Sequence, residues 1–276
     1  MTQAVLRGSG AGRVSAAFER AAKQQRAALV GYLPAGFPTV EDAIAAAMAM
    51  AKAGADVVEI GLPYSDPLID GPVIQEAVHR ALEGGVHVTD VLRTVEALAE
   101  ADVPVLVMTY WNPIERYGVA AFARDLATAG GCGLITPDLP PEEAGAWREA
   151  AASHDLDPVF LVAPSSSDER IKLITSACGG FVYAASVMGI TGARSAVGEA
   201  AGVLVERVRK QTKLPVAVGL GVTTAAQAAE VAQYADGVIV GTAFVQRLLT
   251  ATDVESGRAA VAELAAELAE GVRARS

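Results

Sequence analysis

The chain is poor in the features that would send the reading elsewhere. It has two cysteines in 276 residues, Cys132 and Cys178. That is too few for a disulfide framework, and they form neither a CxxC pair nor a zinc knuckle. Both are expected to be small buried hydrophobes. Aromatic residues are only 5%, so packing must rest on Ala, Val and Leu. The longest apolar run, Ala43 to Ala51, falls well short of the roughly 18 residues that read as a membrane span. The first dozen residues carry Arg7 and a Gly-Ser-Gly tract but no apolar segment, so no secretory leader is expected and the cytoplasm is the expected compartment. Basic clusters are missing too. Lys plus Arg is 22 against 32 Asp plus Glu, a formal charge of -10, which repels a phosphate backbone and disfavours nucleic acid as a partner.

What is present is material for a large core. Hydrophobic residues are 52% and charged residues 20%, against disorder. Continuous apolar runs predict strands at Ala28 to Tyr32, Val57 to Ile60, Val105 to Met108, Gly133 to Thr136, Val159 to Val162, Phe181 to Ala184, Val216 to Val218 and Val238 to Val240. Runs without alternation belong to strands covered on both faces, as in a parallel sheet wrapped by helices. Gly54, Gly130-Gly131 and Gly179-Gly180 stand where a helix gives way to a strand. Pro104, Pro158 and Pro215 stand just before strands, where no ladder donor is needed. Helical spacing covers Val40 to Ala53, Val88 to Ala99, Ala144 to Ala152, Val197 to Gln211 and Val254 to Val272.

Eight such units predict a closed (β/α)8 TIM barrel, with an open doubly wound sheet as the alternative. An extra N-terminal helix, Val14 to Gln25, would cover the barrel's bottom. With no linker or composition shift, residues 1–276 are expected to form a single domain.

In a barrel of this kind the chemistry sits in the loops after the strands. The segment after the second strand stands out. Glu59 interrupts Val57-Val58-Glu59-Ile60, so it either points into the barrel mouth or pairs structurally with an Arg. A carboxylate in the mouth is desolvated, which suits it to pass a proton in both directions. Asp66 and Asp70 follow between Pro63, Pro67 and Pro72; each is a candidate for chemistry or a plain turn residue.

A second signal lies near the C-terminus. Gly219-Leu220-Gly221 and Gly241-Thr242-Ala243, the latter opening a helical turn at Phe244 to Leu249, present bare amides and a helix N-terminus to an anion. The loop from Ser186 to Arg194, with its two glycines, could close over the same phosphate.

Absences narrow the chemistry further. No lysine is placed for a Schiff base, and His79, His87 and His154 lack metal-ligand spacing, so no metal site is expected. No GxGxxG follows the first strand, so a dinucleotide is not expected. Acid–base chemistry on a small phosphorylated molecule remains.

The run Asp56-Val57-Val58-Glu59-Ile60-Gly61-Leu62-Pro63-Tyr64-Ser65-Asp66-Pro67-Leu68-Ile69-Asp70-Gly71-Pro72-Val73-Ile74-Gln75 resembles the signature of the tryptophan synthase alpha chain family. The likeness extends through Gly36, Tyr110, Asn112, Asp138, Pro140, Tyr183, Gly189-Ile190-Thr191-Gly192, Gly221 and Gly241-Thr242. It implies cleavage of indole-3-glycerol phosphate to indole and glyceraldehyde 3-phosphate. Glu59 would shuttle the proton, and Asp70 would hold the indole N–H. Thr191 would close the lid over Asp70. Gly192, Gly221, Gly241 and Thr242 would hold phosphate, while Tyr32, Tyr110 and Tyr183 would line the substrate pocket. The implied partner is a beta chain in an α2β2 heterotetramer, and pyridoxal phosphate would belong to that partner, leaving this chain without a cofactor. Thr242 stands where the family often has Ser, and Ile190 where Val is common; both keep the chemistry. Two rivals are another phosphate-binding barrel enzyme, which leaves the Glu59 to Gln75 run unexplained, and a non-catalytic regulatory subunit, against which Glu59 and Asp70 speak.

Overall fold

The computed structural model describes residues 10–186, 194–219 and 221–273. Strands β1 (Ala28–Pro34), β2 (Val57–Gly61), β3 (Val105–Met108), β4 (Gly133–Ile135), β5 (Asp157–Val159), β6 (Leu161–Val162), β7 (Val182–Ala185), β8 (Val216–Gly219) and β9 (Gly237–Val240) are all parallel. Their order is β5-β4-β3-β2-β1-β9-β8-β7-β6. The first strand pairs with the last, Ala28 facing Gly237 and Val30 facing Ile239. That pairing excludes the open doubly wound alternative and gives the TIM barrel.

The fifth expected strand, Val159 to Val162, is two segments. β5 pairs with β4 and β6 with β7, with Phe160 between them. The backbone changes partner across this break, so one stretch of chain closes the ring. Pro158 is a correction: it lies inside β5, opposite Leu134, rather than before the strand. β5 has a ladder on one side only, where a missing N–H can be tolerated.

Two cores follow from the period of two along each strand. Outward residues such as Leu29, Val58, Ile60, Val107, Val182, Val216 and Val238 pack in the larger core that the helices share. Inward residues Ala28, Val30, Val57, Leu106, Ile135, Val159, Ala217 and Ile239 fill the barrel together with Val14, Ala17, Phe18 and Ala21 of α1 (Gly10–Lys23). The extra helix thus closes the N-terminal end, Phe18 meeting Phe181 at 5.3 Å between ring centroids. The interior is plugged below and can open only above, where the strands end.

Helices α2 (Val40–Ala53), α4 (Val88–Glu100), α7 (Gly145–Ser153), α9 (Arg194–Arg209) and α12 (Val254–Gly271) lie within a few residues of their expected spans. α3 (Pro72–Glu83), α5 (Trp111–Tyr117), α6 (Val119–Thr128), α8 (Asp168–Ala177), α10 (Ala225–Ala232) and α11 (Thr242–Thr250) complete the set among the described residues. Cys132 is buried as expected, whereas Cys178 is only half-buried because it ends α8; both thiols are free.

At the closed end lies a group that the sequence did not flag. Asp157 is buried, and one of its carboxylate oxygens has no partner. It faces the Gly179-Gly180 turn, where a Cβ on Gly179 would lie 2.7 Å from its Oδ1. Burial pushes the carboxyl up to about 7, opposed only by the Gly180 backbone N–H. The folded chain therefore holds this proton more tightly than the unfolded chain, where Asp titrates near ~3.9. The stability tied to the proton is complete below that value and is lost as pH rises through about 7. Asp157→Asn should raise Tm by about 3–8 °C at pH 8 and by much less at pH 4. Thermal melts at both pH values check this; an equal change at the two would refute it.

Candidate active site

The mouth of the barrel is built on β2. Glu59 and Gly61 are two apart and so share the inward face. The Glu59 side chain is fully buried, and among the described residues neither of its oxygens has a hydrogen-bond partner. Among the described residues no Arg pairs with it, against the structural alternative. Desolvation alone pushes its carboxyl up to about 8, so it carries a proton at neutral pH and can release one within the working range.

Tyr32 sits on β1 directly opposite Glu59 in the strand register. Its ring leans over Gly61: a Cβ there would collide with the hydroxyl and lie 2.7 Å from ring atoms Cε2 and Cζ. On its other side, a Cβ at Gly241 would come within 3.2 Å of the same ring. Tyr183, on β7, is held likewise, its hydroxyl 2.8 Å from where a Cβ on Gly219 would be. These strand-end glycines make room for phenol rings. Burial raises both tyrosines well above their ordinary range, and both feel the Glu59 charge.

The loop from Leu62 to Gly71 carries the second carboxylate. Tyr110, the residue before α5, is buried and accepts hydrogen bonds from the Leu68 and Ile69 backbone N–H groups at 3.1 and 3.0 Å. The phenol lowers the Asp70 carboxyl, while burial raises it more. Tyr64 stacks on Tyr110 at 5.4 Å between centroids, and the Gln75 side chain donates to the Asp70 carbonyl at 2.7 Å. Asp66, by contrast, is exposed and takes a 2.6 Å bond from Ser65, the geometry of a local turn residue.

Across the mouth, Gly221 is exposed with φ +70, and a Cβ there would meet nothing. Gly241 and the exposed Thr242 open α11, whose first turn has no side-chain cap. Uncapped amides at a helix N-terminus are donors that an anion can take. Thr191 and Gly192, with the rest of the expected lid, lie outside the described residues.

Asp138 caps α5 through two bonds to the Trp111 N–H, at 2.9 and 3.1 Å, so it joins the loops after β4 and β3. Tyr110's anchoring role and the glycine cradles escape sequence reasoning. Aromatic residues facing glycines on neighbouring strands were the available signal.

A tryptophan synthase alpha chain family model matches residues 18–273. The tryptophan synthase alpha chain of Streptomyces avermitilis is 61% identical over 249 residues, 90% of each chain. That of Salinispora tropica is 58% identical over 95% of this chain and 98% of its own. A solved Mycobacterium tuberculosis tryptophan synthase structure superposes with TM-score 0.87 at 54% identity, covering 95% of this chain and 98% of that one. The Legionella pneumophila alpha subunit gives 0.86 at 34%, over 94% and 98%. The chain belongs to the tryptophan synthase alpha chain family. It is a lyase that cleaves indole-3-glycerol phosphate to indole and glyceraldehyde 3-phosphate in tryptophan biosynthesis.

The glycine cradle can be tested directly. Gly61→Ala must push Tyr32 aside, and misplacement of groups in a site by about 1 Å can cost on the order of 10²-fold. The variant should lose at least ~10-fold in kcat/KM while its circular dichroism stays native. Unchanged kcat/KM would mean that Tyr32 needs no such cradle.

Proposed function

We propose that Glu59 and Asp70 divide the lyase chemistry between them. Protonated Glu59 gives its proton to the substituted ring carbon of the indole, placing positive charge on the ring system. Ionised Asp70 accepts the indole N–H and stabilises that charge. Glu59, now a carboxylate, takes the proton of the glycerol hydroxyl next to the ring. The carbon–carbon bond then breaks, its electron pair returns to the ring, and the aldehyde forms. One proton leaves Glu59 and one returns, so the group ends as it began. The observation that carries this reading is the fully buried, unpartnered Glu59 carboxyl, pushed up to about 8. A group poised near neutral pH works in both directions.

In the same reading Tyr32, Tyr110 and Tyr183 wall the indole pocket, and Gly192, Gly221, Gly241 and Thr242 receive the phosphate, with Thr191 closing over Asp70. The uncapped start of α11 supports the phosphate assignment. The reaction is acid–base throughout and asks for neither metal nor cofactor from this chain. We place the enzyme in the cytoplasm.

Glu59→Gln keeps shape and removes the transferable proton. It should lower indole release by about 10²–10⁴-fold while leaving binding of indolepropanol phosphate unchanged. Retention of a third of wild-type activity would refute the role of Glu59.

The partner in this reading is a beta chain, in an α2β2 assembly, and the loop of Pro63 and Asp66 contributes to the contact. That loop exposes Leu68 and Ile69, at 78% and 57% of their surface. Apolar side chains raised beside a catalytic carboxylate are suited to a protein partner that also senses the site. Leu68→Asp should weaken beta-chain binding by about 10-fold or more in sedimentation or calorimetry. Indolepropanol phosphate should tighten wild-type binding, since coupling is reciprocal. Association that ignores both the substitution and the ligand would refute this interface.

A further inference from the structure

Tyr110 holds the end of the Asp70 loop, and its own position is set from the neighbouring strand β4. The loop leaves β2 with the Leu62 N–H on the Met108 carbonyl at 2.9 Å. It returns to the barrel where the Leu68 and Ile69 N–H groups meet the Tyr110 hydroxyl, at 3.1 and 3.0 Å. Asp70 is the next residue. Tyr110, with Thr109, links β3 to α5, and the backbone is held on each side of it. Before it, the Thr109 N–H donates to the Ile135 carbonyl at 3.1 Å, continuing the β3–β4 ladder. After it, the Trp111 N–H donates to both Asp138 carboxylate oxygens, at 2.9 and 3.1 Å. Both acceptors belong to β4 and the loop that follows it. The Tyr110 side chain, at the N-cap position, caps nothing in α5. Asp138 supplies from another loop the acceptor that the first turn lacks.

We infer that Asp138 is a positioning residue for the lyase reaction: its carboxylate fixes the start of α5, and with it the Tyr110 phenol that holds the Leu68-Ile69-Asp70 segment. The inference rests on the assignment of Asp70 to the acid–base pair. Of the two bonds that flank Tyr110, the one to Ile135 is backbone to backbone. The one to Asp138 ends on an exposed side chain outside both the acid–base pair and the pocket wall. Removing that acceptor frees an N–H at the first turn of α5, and the phenol oxygen shifts with the backbone that carries it. The loop then loses a fixed hold at two consecutive amides, and Asp70 loses its place relative to Glu59. Errors of about 1 Å in such a placement can cost on the order of 10²-fold in rate.

The test compares wild type, Asp138→Ala and Asp138→Asn, each also in a Tyr110→Phe background. Two quantities are read: amide hydrogen exchange at Leu68 and Ile69, and kcat/KM for indole-3-glycerol phosphate cleavage. Asp138→Ala should speed exchange at both amides by about 3–30-fold, the worth of a lost N-cap, and lower kcat/KM about 10-fold. Asn keeps an acceptor oxygen and caps about as well as Asp, so Asp138→Asn should stay within about threefold of wild type in both. In the Tyr110→Phe background the amides have no phenol oxygen to hold them, and Asp138→Ala should change either quantity by less than about twofold. Wild-type exchange at the two amides, or wild-type kcat/KM, in Asp138→Ala would overturn the inference. So would an Asn variant no better than Ala, or an Ala effect as large in the Phe background as without it, which is the mark of general destabilisation. Wild-type activity in Asp70→Asn would instead overturn the acid–base reading, and the exchange rates would still decide what holds the loop.

Discussion

A fully buried carboxyl group with no partner among the described residues is the constraint around which this barrel is arranged. Glu59 is fully buried and unpartnered, and its proton is held to about 8. Moving a carboxyl that far from its usual value corresponds to roughly 5 kcal/mol against the charged form. A domain of ordinary stability has only about 5–15 kcal/mol in total. The group can be kept there only because the strand that carries it is fixed on both sides, by β1 at Tyr32 and by β3 at Leu106. The layers below it, from Val57 to the α1 residues Val14 and Phe18, are apolar and shut. The plugged floor closes the site from below.

The same economy of space explains the glycines at the strand ends. Gly61, Gly219 and Gly241 are inward positions where any side chain would meet Tyr32 or Tyr183. Leaving them bare lets two phenol rings from other strands occupy the mouth. Aromatic residues are only 5% of the chain, yet Tyr32, Tyr64, Tyr110 and Tyr183 gather around this one opening. Packing elsewhere rests on Ala, Val and Leu, so the tyrosines mark where polarity at the end of an apolar body is needed.

Much of this was legible beforehand, for identifiable reasons. Parallel strands buried on both faces write continuous apolar runs, so all eight expected strand positions are occupied, and a charge such as Glu59 inside one is conspicuous. The TIM barrel and its N-terminal plug followed from that pattern. The fifth strand did not read as two, because a change of hydrogen-bonding partner at Phe160 leaves no mark on hydropathy. Pro158 was placed outside its strand because a ladder on one side only is a property of the sheet, not of the sequence. Asp157 went unnoticed because an acid next to a proline reads as a turn until the Gly179-Gly180 segment is seen folded against it. Of the candidate carboxylates, position in the loop could not separate Asp66 from Asp70; only the reach of Tyr110 does.

That separation bears on how two acids in one cleft come to play different parts. Burial raises both Glu59 and Asp70, so desolvation by itself would drive them toward the same protonated state and the same inactivity. The asymmetry comes from hydrogen bonding. Among the described residues Glu59 has no donor, whereas the Tyr110 phenol lowers the Asp70 carboxyl against burial. A donor favours the anion and its absence favours the acid. In the proposed reading, that difference is what would let one carboxyl act as the acid and the other as the base. Because the Tyr110 oxygen is also bound to the Leu68 and Ile69 amides, a displacement of that exposed loop would move the phenol that lowers the Asp70 carboxyl against burial. Protonation at the site and the conformation of the surface loop are therefore two aspects of one equilibrium.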